Sequence, residues 1–260
     1  MESTPKKSLG QHWLEDPIVL DAMCDAANVQ AGDHVLEIGP GMGTLTERLA
    51  THGALVTALE FDVSLLPGLE QRFTNQPNVQ IEAGDIRSYD FAAQPEGYKI
   101  VANIPYYLTS NLIQLISETT NPPVQAALLI QKEVAERAVA KPGDMSLLSV
   151  TTQFYWQASA GMVVPAELFI PPPKVDSQIL ILSRPAKPIL AGVDPKAFFR
   201  LVKAGFSQRR KTLLNSLSGG LHLSKPEAEK LLTAAHLDHR LRPQNLSLEQ
   251  WYKLYKCVEK

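Results

Sequence analysis

The stretch His34-Val35-Leu36-Glu37-Ile38-Gly39-Pro40-Gly41-Met42-Gly43-Thr44-Leu45-Thr46 decides the fold. Its first five residues read as a strand. The glycines then form a tight turn, and Thr44–Thr51 has the pattern of a helix. Strand, glycine turn and helix in that order open a βα unit. Working outward, the rhythm repeats. Ala54–Glu60 is strand-like and Val63–Phe73 helical. Val79–Glu82 and Lys99–Ala102 are short strand-like runs. Ser110–Ser117 is helical, and Leu128–Ile130 runs into a helical Lys132–Ala140. This alternation predicts an α/β fold with a parallel sheet covered by helices on both faces.

Beyond Pro142-Gly143 the pattern changes. Leu147–Trp156 and Gln178–Ser183 read as strands with no good helix between them, and Pro171-Pro172-Pro173 marks a stiff connection. These features predict an antiparallel end to the sheet. Pro185, Pro188 and Gly192 read as a linker. From Pro195 onward the chain is helical in pattern. Two domains are therefore expected, 1–187 for the α/β part and 188–260 for a small all-helical part.

Charge divides along the same line. The chain has 260 residues and a net charge of −2. Residues 1–190 hold 12 Lys and Arg against 21 Asp and Glu (−9), and residues 191–260 hold 13 against 6 (+7). A basic tail on an acidic body points to a polyanion partner, usually nucleic acid. Lys196, Arg200 and Lys203 fall on one helix face opposite Phe198, Leu201 and Val202. Arg209, Arg210 and Lys211 then read as the start of a second helix, with Ser207 as its N-cap. These six cations are the candidate RNA-binding set, and a solvated helix face is the plainer alternative.

Several classes fall away. No apolar stretch follows Met1–Lys7, so no secretory signal is expected there. Apolar runs such as Ala126–Ile130 are too short to span a bilayer. Cys24 and Cys257 alone make neither a disulfide framework nor a zinc site, and the histidines lack metal-ligand spacing. The expectation is a cytoplasmic protein with no metal and no membrane partner.

The glycine turn has the spacing G-x-G-x-G, with Thr44 where a dinucleotide fingerprint would need glycine. Glu37 stands two residues before Gly39. A carboxylate there would repel a diphosphate but accommodates the amino-acid group and sulfonium of S-adenosylmethionine. Gly39 and Gly41 would let the backbone approach that cofactor closely. A ligand-free turn remains open on the glycines alone. Glu60 ends the second strand, 21 residues after Gly39, and a carboxylate there can accept from both ribose hydroxyls. Asp85, after the third strand, could accept from an adenine amine.

Asn103-Ile104-Pro105-Tyr106 follows the fourth strand. It suits methyl transfer to an exocyclic adenine amine, whose lone pair is delocalised into the ring. The Asn103 side-chain oxygen and the Ile104 carbonyl could accept the two N–H groups and free that lone pair. Pro105 would stiffen the turn, and Tyr106 offers a face for an unstacked base. An Asn/Pro turn capped by a surface tyrosine is the plainer reading of this tetrapeptide alone.

Taken together, these motifs resemble the small-subunit rRNA adenine dimethyltransferases, the KsgA (RsmA) family. The resemblance covers nearly the whole chain. It begins at Leu9-Gly10-Gln11-His12-Trp13-Leu14 and includes Glu37–Gly43, Glu60, Gly84-Asp85 and Asn103–Tyr106. It continues through Gln131–Arg137, Pro171–Ser177 and Phe206–Lys211. It implies a Rossmann-like S-adenosylmethionine-dependent methyltransferase core with a helical C-terminal domain. The implied reaction is dimethylation of two adjacent adenosines near the 3′ end of 16S rRNA, in the small (30S) subunit during ribosome biogenesis. The expected enzyme is a monomer. Carried over by position, His12 and Leu14 would contact the methionine end of the cofactor, Gly39 would lie beneath it, Glu60 would hold the ribose and Asp85 the adenine. Asn103 would lie between cofactor and target. His12 stands where the family usually has Asn, and Trp13 replaces a phenylalanine. Three alternatives remain at this point: a large-subunit rRNA methyltransferase of the antibiotic-resistance type, a non-catalytic assembly factor on the same fold, and, least favoured, a nicotinamide dehydrogenase.

Overall fold

The computed structural model describes residues 5–6, 9–208 and 210–258. Its elements run β1 (Trp13–Leu14), α1 (Pro17–Ala26), β2 (His34–Ile38), α2 (Thr44–Thr51), β3 (Leu55–Glu60), α3 (Leu66–Phe73), β4 (Val79–Ala83) and β5 (Lys99–Asn103). Then follow α4 (Thr109–Glu118), β6 (Gln125–Gln131), α5 (Lys132–Ala138), α6 (Leu147–Tyr155), β7 (Gln157–Val164), β8 (Phe169–Ile170) and β9 (Ser177–Ser183). Four helices close the chain: α7 (Pro195–Phe206), α8 (Leu213–Gly220), α9 (Lys225–Ala234) and α10 (Leu248–Val258).

The chain divides into two compact units, residues 1–135 with 157–184, and residues 136–156 with 185–260. The first holds a seven-stranded sheet in the order β4-β3-β2-β5-β6-β9-β7. The five strands from β4 to β6 are parallel, and β9 and β7 complete the sheet antiparallel, as the change of pattern predicts. Central strands covered on both faces must be apolar throughout. Accordingly Leu36, Ile100, Val101, Ala102, Ala127, Leu128 and Leu129 are all buried. The strand order reverses beside β2, with β3 on one side and β5 on the other. Ligands of open α/β sheets bind beyond the strand ends at such a switch point. The glycine turn and the Asn103 turn leave the sheet there.

Two readings of the sequence differ from the structure. Leu147–Tyr155 is the helix α6, not a strand. Its β-branched and aromatic residues have strand propensity, yet Ser146 and Ser149 form a reciprocal cap at its N-terminus. Val150 and Phe154, one helical turn apart, are buried in a cluster with Phe198, Phe199 and Leu201. Burial outweighs propensity here. The extra strand is instead β7, in the polar and small residues Gln157–Val164. Consequently 136–156 belongs to the second compact unit, whereas the expected boundary at 187 put it in the first.

The second difference lies at the end of α7. Ser207 closes that helix, its hydroxyl donating to the Ala204 carbonyl at 2.7 Å, and does not cap the next. α8 begins at Leu213 with Thr212 as N-cap, so Arg210 and Lys211 lie in a turn. Arg209 lies outside the described residues. The core of the second unit is aromatic: Phe154 stacks on Phe198 at 4.9 Å, and Trp251 and Tyr255 are buried beside them.

Candidate active site

One cleft gathers every residue the sequence singles out in the first unit. His12, Leu14, Glu37, Gly39, Gly41, Glu60, Asp85, Asn103, Ile104, Pro105 and Tyr106 all line it. They arrive from the ends of β2 to β5 and from the N-terminal segment around β1.

The floor is the glycine turn. Gly39 and Gly41 have φ of 73° and 58°, the left-handed region that glycine enters without strain. A Cβ on Gly39 would meet nothing nearer than the Asn103 carbonyl at 4.0 Å, so its surface is open to a ligand. Gly43 has a different reason: a Cβ there would stand 2.7 Å from the Phe73 ring.

Glu37 is 1% exposed. Its Oε2 accepts from the Thr46 hydroxyl at 2.6 Å, while Oε1 has no partner. Burial pushes this carboxyl up to about 8; the Thr46 hydrogen bond opposes the shift and Glu60 adds to it. Glu60 is also raised by burial, against hydrogen bonds from the Asp62 and Gly41 amides. Those amides donate to Oε1 at 2.7 Å and to Oε2 at 3.1 Å. Each oxygen keeps a lone pair, enough for two hydroxyls. Asp85 is held by its neighbour. Arg87 grips both carboxylate oxygens, with Nη2 to Oδ2 at 2.5 Å, and keeps the acid below its ordinary range.

Asn103 ends β5. Its Nδ2 donates to the His12 carbonyl at 3.0 Å, which fixes the amide plane and leaves Oδ1 as the outward acceptor. The Ile104 side chain is buried. Tyr106 shares a hydrogen bond with the Ser177 hydroxyl at 2.9 Å, and its ring lies near-parallel to His12 at 5.9 Å between centroids. His12 Nδ1 lies 2.7 Å from the Pro171 carbonyl. A carbonyl only accepts, so Nδ1 carries the proton. Leu14 is buried in the β1–β8 pair, opposite Phe169, and its carbonyl accepts from the Thr44 hydroxyl at 2.7 Å.

Sequence reasoning missed what anchors this N-terminal segment. Asp62 is buried, and Lys6 Nζ donates to its Oδ1 at 2.7 Å and to Ser64 at the same distance. Gln11 reaches Oδ2 at 3.3 Å. Burial would raise the Asp62 carboxyl, but Lys6, Ser64 and Gln11 bring it to about 2. No local pattern announces contacts spanning more than fifty residues; Asp62 two residues after Glu60 was the one available signal. Also missed was Arg87; Tyr107, which the sequence offers beside Tyr106 as a second face for a base, lines the cleft and is 61% exposed.

This donor set fits a methyl donor of the S-adenosylmethionine type. Glu37, Glu60 and Asp85 offer acceptors to ammonium, hydroxyl and amine groups, and the unpartnered Glu37 Oε1 is a buried acceptor without a donor. A pyrophosphate would meet repulsion from Glu60 and Asp85. Among the described residues, no group of three or more His, Cys, Asp and Glu could hold a metal ion.

In the second unit, Lys196, Arg200 and Lys203 are exposed on α7, opposite the buried Phe198, Leu201 and Val202. Arg210 and Lys211 are exposed as well. Among the described residues, none of these cations pairs with an acid, unlike Arg240, which faces Asp238 at 2.8 Å.

A glycine turn and an Asn103-Ile104-Pro105-Tyr106 turn gathered at the switch point of a parallel sheet match the layout expected of a methyltransferase. The family described as "Ribosomal RNA adenine dimethylase" matches residues 2–260, and the chain belongs to that family. It is therefore an rRNA adenine dimethyltransferase. The chain is 42% identical over 257 residues to "Ribosomal RNA small subunit methyltransferase A" of Dehalococcoides mccartyi, covering 98% of this chain and 88% of the relative. Among solved structures, a dimethyladenosine transferase from Plasmodium falciparum superposes with a TM-score of 0.79 at 27% identity, covering 94% of this chain and 96% of that one. The 23S rRNA methyltransferase ErmE gives 0.78 at 27% identity, covering 95% and 100%.

Proposed function

We propose that this protein dimethylates the N6 amines of two adjacent adenosines near the 3′ end of 16S rRNA in the small (30S) ribosomal subunit. It uses S-adenosylmethionine and acts as a cytoplasmic monomer during ribosome biogenesis. The relatives at about 40% identity carry small-subunit names, and no helix among the described residues is long and apolar enough to cross a membrane.

When bound, S-adenosylmethionine supplies an electrophilic methyl carbon on sulfur. Glu60 holds the ribose hydroxyls with the lone pairs its backbone partners leave. Asp85 accepts the adenine amine once Arg87 yields one of its contacts. His12, Leu14, Glu37, Gly39 and Gly41 surround the methionine end. Asn103 Oδ1 and the Ile104 carbonyl accept the two N–H groups of the target amine, which frees its lone pair. Pro105 holds that turn, and Tyr106 gives the purine a fixed face. Attack needs no strong base, because the amine becomes acidic only after it gains the methyl group; the proton then leaves to water. Lys196, Arg200, Lys203, Arg209, Arg210 and Lys211 bind RNA phosphates.

The observation that carries this reading is the Asn103 amide. Its donor end is taken by the His12 carbonyl, and the residue lines the same cleft as Gly39 and Glu60, which supports a role for Oδ1 as the acceptor. The test is labelled methyl transfer to small subunits lacking the modification, followed by nucleoside analysis. Label in N6,N6-dimethyladenosine near the 16S 3′ end is expected. Label in 23S rRNA, in a pyrimidine or in ribose would overturn it.

A further inference from the structure

We propose that Glu37 senses the charge of the bound sulfur ligand: it ionises when the cationic methyl donor enters and takes its proton back when the neutral-sulfur product is left. The inference rests on the cofactor reading above and deepens it.

The argument begins with geometry. Glu37 lies in the centre of the sheet, between Ala58 of β3 and Val101 of β5 in register. One carboxyl oxygen is spent on Thr46 of α2, and the other is buried with no donor. The groups facing it from the surrounding elements supply no positive charge. β3 brings the Glu60 carboxylate, β5 brings an apolar side chain, and α1 brings Cys24, whose thiol is pushed up to about 12 by burial and stays neutral. The one cation of α2, Arg48, is half-exposed and turned toward Asp21 at 3.8 Å. An ionised carboxylate in this position is poorly compensated. In the ligand-free protein Glu37 therefore keeps its proton at neutral pH, in keeping with its upward shift to about 8.

S-adenosylmethionine brings a sulfonium and an α-ammonium against one carboxylate, a net positive charge. Its product has lost the sulfonium charge and is neutral overall. In a cleft lined by carboxylates, the donor supplies the charge that Glu37 lacks. On binding, the Glu37 O–H bond breaks, the electron pair stays on the carboxylate and the proton passes to bulk water. After transfer the local field weakens and Glu37 recovers a proton. The residue thus favours donor over product, which helps exchange between two successive methyl transfers.

The experiment is calorimetric binding of S-adenosylmethionine and of S-adenosylhomocysteine to the full chain at pH 6–8, in buffers of different ionisation enthalpy. One proton released per donor bound makes donor affinity rise about tenfold per pH unit below the Glu37 titration. The product should release fewer protons and show a shallower slope. Glu37→Gln, which keeps an acceptor for Thr46, should release none and bring the two affinities toward a ratio of one. Absence of proton release by the wild-type protein overturns the proposal without need of the variant. A slope that survives in Glu37→Gln also overturns it and assigns the proton to Glu60. Failure of both ligands to bind instead overturns the cofactor reading.

Discussion

The cleft of the first unit and the basic face of the second use charge in opposite ways. In the cleft, the carboxylates of Glu60 and Asp85 are each held by named donors at hydrogen-bond distance. On α7, Lys196, Arg200 and Lys203 are exposed and, among the described residues, pair with no acid. Buried and fixed charge gives direction, and it is little affected by salt. Exposed and mobile charge gives attraction, and salt screens it. On the proposed function, the difference teaches that the chemistry would reside in where a few atoms point, and the hold on RNA in how many charges the α7 face presents.

Asn103→Ala is the strongest test of that division. It removes the directed acceptor and should lower turnover by about two to three orders of magnitude, the cost of losing one preorganised polar group in other enzymes. Donor affinity and RNA affinity should change far less. A variant that loses RNA binding and turnover together would break the comparison.

Replacing Lys196, Arg200 and Lys203 together by Ala should do the reverse. RNA affinity should fall, and the slope of log affinity against log salt should shrink by about 2, at roughly 0.7 per phosphate contact on single strands. Turnover at saturating RNA should hold. Filter binding across a salt series checks this; an unchanged slope would reduce that face to a solvated surface.

A smaller effect is expected at the anchor of the N-terminal segment. Asp62 is lowered in the folded state, so its contribution to stability is present above its ordinary value near 3.8 and is lost as pH falls through about 2. Asp62→Asn should therefore lower the thermal midpoint at pH 7 and converge with the wild-type protein in acid. Equal separation at both pH values would mean that the contact acts through packing rather than charge. The least effect is expected for Tyr106→Phe, which keeps the ring and loses only the Ser177 bond. About 1 kcal/mol is at stake for such a bond, and turnover should fall by less than tenfold.

The legible parts of the molecule were local. The strand and glycine turn of 34–43 announce themselves because apolar runs, Gly and a following helix pattern lie within one short window. Glu60, Asp85 and Asn103 could be placed because each ends a strand of that rhythm. What escaped was non-local. Leu147–Tyr155 carries strand-forming residues, and the Ser146–Ser149 cap with the burial of Val150 and Phe154 against Phe198 makes it a helix. Its membership in the second unit follows from that contact rather than from any boundary signal. The partner of Asn103 could not be foreseen either, because it is a backbone oxygen 91 residues away. Lys6 and Asp62, 56 residues apart, escaped for the same reason. Ser207 does not cap a second helix, because it turns back to close α7, and Arg210 and Lys211 lie in the turn that follows.

The His12 carbonyl has a consequence for anyone who would reshape this enzyme. The residue whose backbone orients Asn103 is joined directly to Trp13, which pairs with Ile170 across the small β1–β8 sheet. A wall of the cleft and the aim of the Asn103 amide, the proposed acceptor, are thus one piece of chain. Loosening that wall to admit a bulkier alkyl donor would swing the amide off target in the same motion, so a broadened substrate range would come with slower chemistry unless a new carbonyl takes over the grip.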